Sequence, residues 1–307
     1  MEREPLYVCM TMDVERIGDY SPTGGPPDWA FAARSVRGYC DALSRRGMSP
    51  TLFVVPDTAL EQGVLLRQLA EKTGAELGLH MHPQCWKDHY LNPDGHGYLG
   101  AYRGADQYEI LSEALEQIGD CLGDRPQAFR GGNFSANDET FRTLTELGFT
   151  HGSVSQPGRS VARYQACWKD ADPDVHLGHE AFRLIPGRLD FVEVPLTSDR
   201  ERTDHWTGVG DVRVEGATAV EIAKAVRQEV GRQVGDDAPI KHVCLLTHNT
   251  VNYWSEDLSE KGRVGVLMQA LDYLDEIADD LGLEIRGTTI ANVREAFLAA
   301  RGSRVVD

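Results

Sequence analysis

Paired cysteines, long apolar runs and an excess of positive charge are all missing from this chain. Its 307 residues include 6 cysteines, Cys9, Cys40, Cys85, Cys121, Cys167 and Cys244, none spaced as CxxC. That argues against a cysteine-built zinc site and against a disulfide framework. Cys9 and Cys244 fall inside apolar runs, where a free thiol behaves as a small hydrophobe. No segment approaches the roughly 20 apolar residues needed to cross a bilayer. No charged start, apolar stretch and small-residue cleavage site precede the first strand pattern, so the expectation is a soluble, cytoplasmic protein. Lysine and arginine total 31 against 48 acidic residues, a net charge of −17. Such a surface repels phosphate backbones and anionic lipid, so neither nucleic acid nor membrane is an expected partner. The oligomeric state is not legible.

What is present is an alternation of short apolar runs with amphipathic stretches. Strands are predicted at Leu6–Met12, Thr51–Val55, Glu76–His80, Gln127–Arg130, Thr150–Val154, Phe191–Leu196, Val243–Thr247 and Leu283–Arg286. In residues 107–122, Ile110, Leu111, Ala114, Leu115, Ile118 and Leu122 recur at helical spacing, and Gly123 follows as a stop. Asn137 is the expected cap of a helix ending at Gly148, and Gly282 the stop of a helix bearing Val266 to Ile277. Seven or eight strands separated by helices, with no linker and no repeat, imply one α/β domain over residues 1–307 built on a parallel sheet. Loops rich in Gly, Pro and aromatics span 17–28, 83–104 and 156–179, and such loops usually build a substrate site.

The unusual polar residues gather where predicted strands end. Asp13 and Glu15 alternate after the first strand and share a face if the chain stays extended. Two carboxylates at a strand end suit a metal ligand and a base; a solvated strand end is the plainer alternative. His80 and His82 share a face in the same way, and Pro83 favours extended backbone at His82. Two imidazoles beside a carboxylate match a His₂–carboxylate site with an open position, against the plain reading of hydrogen-bonded surface histidines. Arg130 precedes Gly131 and Gly132, which permit close backbone approach, and an arginine there can reach a neighbouring carboxylate. An apolar strand delivers His248 to its end, as a catalytic acid, a ligand or a satisfied core histidine. Strand C-termini are the catalytic face of α/β barrels, which is where all of these groups fall.

The segments TMDVE (11–15), PTLFVV (50–55), ELGLHMHP (76–83), FRGGNFSAN (129–137) and LLTHN (245–249) together resemble the polysaccharide deacetylase, or NodB-homology, family. The resemblance spans about residues 6–250 and implies an irregular (β/α) barrel of seven or eight strands. It implies one divalent ion, zinc first, with Co²⁺, Ni²⁺ or Mn²⁺ as alternatives, and removal of an N-acyl group from an amino sugar. By the same resemblance Asp13 is the base, Arg130 holds it, His248 is the general acid, and Leu246 sits beside the acyl methyl. Asp199 is placed as the residue orienting His248. The family's adjacent aspartates become Asp13 and Val14 here, so Glu15, or else Asp13, takes the ligand role. Its histidine pair spaced i, i+4 meets Gln84, so His82 joins His80 as ligand. Asn133 and Trp86 are expected at the substrate.

The expected substrate is a small molecule or saccharide, acetylated or formylated on nitrogen, from inside the cell. Loop aromatics such as Trp206 and Trp254 can stack on sugar rings or simply pack as lids. The loop histidines His89, His96, His176 and His179 are expected to be solvated. Three other functions stay open: a metal-free cyclic-amide hydrolase of the same fold, a glycosidase pairing Asp13 with Glu193 or Glu15, and a saccharide-binding protein without catalysis.

Overall fold

The computed structural model describes residues 3–18, 24–85, 97–255 and 262–304. Five long strands carry most of the sheet: β1 (Glu4–Val14), β2 (Thr51–Val54), β3 (Glu76–Met81), β4 (Ala128–Gly131) and, near the end, β10 (Lys241–His248). Shorter strands lie between β4 and β10: β5 (His151–Gly152), the hairpin β6 (Ser160–Val161) and β7 (Ala166–Cys167), β8 (His176–Leu177) and β9 (Val192–Glu193). β11 (Leu283–Thr288) follows β10. The helices are α1 (Trp29–Ser44), α2 (Pro56–Thr73), α3 (Gly104–Leu122), α4 (Thr140–Glu146), α5 (Ala219–Gly235), α6 (Arg263–Asp280) and α7 (Ile290–Arg304).

All eight predicted strands form, mostly with boundaries shifted by one or two residues. The main sheet runs β10-β1-β2-β3-β4-β5-β9-β8, parallel except for the antiparallel pair β8–β9. It curls into an irregular, incompletely closed (β/α) barrel: among the described residues β8 and β10 do not pair. β1 is the pivot. One edge pairs with β10 from Leu6 to Asp13. Its other edge is shared, with β11 beside Glu4–Cys9 and β2 beside Thr11–Val14.

Both faces of β1 are buried from Val8 to Val14, which is why the strand reads as a near-continuous apolar run. Met10 and Met12 face the helices, while Cys9, Thr11 and Asp13 alternate to the opposite side. On β3 the row Glu76, Gly78, His80 shares a face. Gly78 is required there, because a Cβ would stand 2.7 Å from the Phe53 ring. Phe53 is fully buried, and the Arg130 guanidinium lies 4.3 Å from its ring centroid.

Helix ends follow their sequence signals. Gly123 takes left-handed φ of 86° after α3, and Thr218 with Glu221 forms a capping box on α5. Asn137 departs from expectation in part. It lies two residues ahead of the α4 N-cap, Glu139; its Oδ1 accepts from Glu139 N at 3.0 Å, while its Nδ2 ties down loop carbonyls of Gly100 and Tyr102. None of the described helices is long and apolar enough to cross a membrane.

Candidate active site

The C-terminal ends of β1, β3, β4 and β10 open into one pocket of about 270 Å³. Asp13, Glu15, His80, His82, Asn133, Leu246 and His248 all line it. Arg130 lies behind, fully buried. Of the residues assigned to the site from sequence, Trp86 lies outside the described residues, as do His89 and His96.

Glu15 Oε1 stands 3.1 Å from His82 Nε2 and 3.4 Å from His80 Nε2. Ligand atoms of the three residues fall within 4.8 Å of one another. A tetrahedral ion with bonds of about 2.0–2.1 Å separates its ligands by roughly 3.3 Å, so these donor spacings suit a zinc-sized ion. The imidazoles are also held in place. His80 Nδ1 donates to the Arg130 carbonyl at 3.0 Å, which leaves the Nε2 lone pair facing Glu15. Gln84 Nε2 lies 3.3 Å from His82 Nδ1 and Gln84 Oε1 is buried without a partner; a half-turn of that amide would set Oε1 against an Nδ1–H and free His82 Nε2 for a cation. Gly132 makes room: a Cβ there would stand 2.2 Å from His82 Nδ1.

Glu15 is pinned through its backbone. Asn249, the residue after His248, accepts from Glu15 N at 3.0 Å and donates to Glu15 O at 2.9 Å. Burial opposes ionisation of the Glu15 carboxyl, but the attraction of His82 and the hydrogen bonds of both imidazoles outweigh it and hold its pKa well below the usual range. For His80, burial opposes protonation and the charges of Asp13 and Glu15 outweigh it, so its pKa is raised. The cluster is short of positive charge, as a cation site should be.

Asp13 Oδ1 accepts from Arg130 Nη1 at 2.8 Å, and the same Nη1 reaches Thr11 Oγ1 at 2.9 Å. The other carboxylate oxygen, Oδ2, faces His80 Nε2 at 3.5 Å and His248 Nε2 at 3.9 Å. His248 Nδ1 meets Glu215 Oε1 at 2.6 Å. Burial disfavours the His248 cation, yet the charge and hydrogen bond of Glu215, with the charge of Asp13, raise its pKa above the usual value.

Glu215 therefore holds the place given to Asp199. Asp199 instead pairs with Lys224 at 2.8 Å and bridges to Gly210, away from the pocket. The sequence did carry a signal for Glu215. In Asp211-Val212-Arg213-Val214-Glu215 the two valines are buried and the three charged residues all line the pocket, a period-two pattern hidden in a loop without strand assignment.

Asn133 and Phe134 adopt consecutive left-handed conformations, φ 57° and 59°. For a bulky residue such as Phe134 this costs energy, and strain of this kind clusters at functional sites. Asn133 Oδ1 is buried without a hydrogen bond while its residue lines the pocket. Glu193 is not a pocket residue. It is fully buried and accepts from Val154 N, Ser155 N and Ser155 Oγ, and burial lifts its pKa to about 7. Among the described residues, the pocket lined by Asp13 does not include Glu193. His176, expected in solvent, is buried in β8 with Nδ1 on the Asp174 carbonyl. Trp168 is core, with its indole N–H donating to Phe134 O at 2.7 Å.

Solved structures share this architecture. A chain from Mycobacterium smegmatis assigned as a polysaccharide deacetylase superposes with TM-score 0.62 at 17% identity, covering 98% of this chain and 92% of that one. The allantoinase Puue gives 0.61 at 13%, covering 96% and 90%. A chain from Pseudomonas aeruginosa PAO1, also assigned as a polysaccharide deacetylase, gives 0.59 at 14%, covering 95% and 90%. The fold is thus the NodB-type barrel. No family model and no curated protein matches the sequence.

Proposed function

We propose that residues 1–307 form one catalytic domain, a cytoplasmic metal-dependent hydrolase that removes an N-acetyl or N-formyl group from an amino-sugar-containing or related metabolite. The observation that carries this reading is the Glu15–His80–His82 donor set flanked, in one pocket, by Asp13 on Arg130 and His248 on Glu215. Glu15, His80 and His82 would hold one divalent ion, zinc first, with cobalt, nickel or manganese able to use the same donors. Such an ion supplies Lewis acidity toward an amide carbonyl and a water.

The protein's own groups do the proton work. Arg130 holds Asp13 Oδ1 and leaves Oδ2 free to take a proton from the attacking water. His248 presents Nε2 to the pocket, with Glu215 keeping Nδ1–H engaged. A raised pKa favours its protonated form, which can give that proton to the departing amine, a group that leaves poorly as an anion. Leu246 supplies an apolar wall suited to an acyl methyl, and Asn133 Oδ1 an acceptor for a substrate N–H or O–H.

Purified protein is expected to carry near one ion per chain, and a chelator to abolish amide hydrolysis. Full activity of metal-free protein would overturn the scheme. That result would favour a cyclic-amide hydrolase working without metal, a reading supported by the likeness in fold to an allantoinase.

A further inference from the structure

The carboxylates around the pocket each have a cationic or imidazole partner. Asp13 has Arg130, Glu15 has His80 and His82, and Glu215 has His248. Asp211 takes Arg213 twice, from the backbone N–H at 3.1 Å and from Nε at 2.8 Å. Arg159 breaks this pattern. It lines the same pocket and is only 6% exposed, yet no carboxylate among the described residues lies within ion-pair distance. Its side chain makes one hydrogen bond, to the neutral Gln156 Oε1 at 3.1 Å, and its Nε is buried without a partner.

A buried guanidinium without an ion-pair partner is costly, and Asp211, already paired with Arg213, offers only a longer-range attraction that the Arg213 charge opposes. Burial draws its pKa down only to about 10, so the charge persists at neutral pH. The backbone fixes it in place. Arg159 O accepts from Trp168 N at 2.7 Å, and the neighbouring Ser160 N donates to Thr207 O at 2.7 Å. The Phe134 and Trp206 rings lie 5.6 and 6.0 Å from its guanidinium carbon, and the aromatic wall offers no hydrogen-bond acceptor of matching charge. Fixed geometry, vacant donors and a pocket-facing position are what anion recognition by arginine needs.

We infer that the substrate carries an anionic group, a carboxylate or a phosphate, which Arg159 receives while the amide lies among the catalytic groups. This rests on the hydrolase reading for the identity of the pocket, but binding tests it separately. The probes are N-acetylglucosamine, its 6-phosphate, and N-acetylmuramic acid, whose charge is a carboxylate. Calorimetric titration into the full chain is expected to show at least one anionic sugar binding about 10–100-fold more tightly than the neutral one, the range of a charged hydrogen-bonded pair. Which of the two wins separates carboxylate from phosphate. In Arg159→Gln the ratio falls to about one, while Arg159→Lys keeps part of it; thermal melts show that both variants are folded. Equal or absent binding of the anionic and neutral sugars by wild type, or a preference surviving in folded Arg159→Gln, overturns the inference. Acetate release is read in parallel with zinc added. Arg159-dependent binding without acetate release sinks the hydrolase reading alone. Release at equal kcat/KM from charged and neutral sugars sinks this inference alone.

Discussion

β3 carries a carboxylate–histidine cluster at each end, and the two differ in what their spare atoms do. At the N-terminal end, Glu76 Oε1 meets His151 Nε2 at 2.5 Å, and Glu76 Oε2 accepts from Thr51 Oγ1 and Ala291 N. His151 Nδ1 is taken by Thr150 Oγ1 at 2.8 Å. Every strong donor and acceptor is spent. At the C-terminal end, the Nδ1 atoms of His80 and His82 are occupied from outside, so both Nε2 atoms converge on Glu15 beside an open pocket. The cavity beside the closed pair is the larger, about 600 Å³ against 270 Å³. Cavity size and residue type therefore do not distinguish a reactive cluster from a structural one. What the remaining imidazole nitrogens face does.

The strongest way to break this contrast is at Glu15. Glu15→Ala is expected to abolish ion binding and turnover together, by metal analysis and acid release, whereas His151→Ala at the other end leaves both in place. His248→Ala comes next: kcat falls roughly 10²–10⁴-fold with ion content unchanged. Wild-type turnover in that variant would remove the acid assignment. Glu215→Gln sharpens the comparison by altering an outer partner alone, with kcat lower by about 10–100-fold. It also has a pH signature. His248 works protonated, so activity falls as pH rises through its pKa, and Glu215 raises that pKa. Without the Glu215 charge the alkaline limb of the pH–rate profile moves to lower pH; an unmoved limb would separate Glu215 from the acid. The smallest effect is on stability. His151→Ala leaves Glu76 short of a partner and costs about 1–3 kcal/mol in denaturant unfolding. A loss of turnover there would make the two clusters alike.

The strands and their order were readable because both-sided burial writes itself as apolar runs, and the pocket residues because they sit where those runs stop. Closure of the barrel was not readable, since pairing of edges leaves no mark on periodicity. The resemblance points to Asp199 and leaves Glu215 unmarked: the segment from Pro195 to Thr218 lacks regular hydrogen bonding, so its alternation does not read as extended chain facing the pocket. Asn137 Oδ1 does engage the start of its helix at Glu139 N, but its Nδ2 serves a distant loop, Gly100 to Tyr102, and local spacing carries no trace of that. Arg159 escaped notice because an arginine inside a loop reads as solvated until its burial is seen.

The shared edge of β1 bears on how the chain assembles. The strand that delivers Asp13 pairs with β10 and β11, which come more than two hundred residues later. Contacts so far apart in sequence are slow to form. A nascent chain halted before residue 240 holds Asp13, His80 and Arg130 but neither His248 nor Asn249, the residue that clamps Glu15. The pocket therefore gains its full set of side chains only once β10 is in place, and a fragment ending before it is expected to lack the Glu15 clamp.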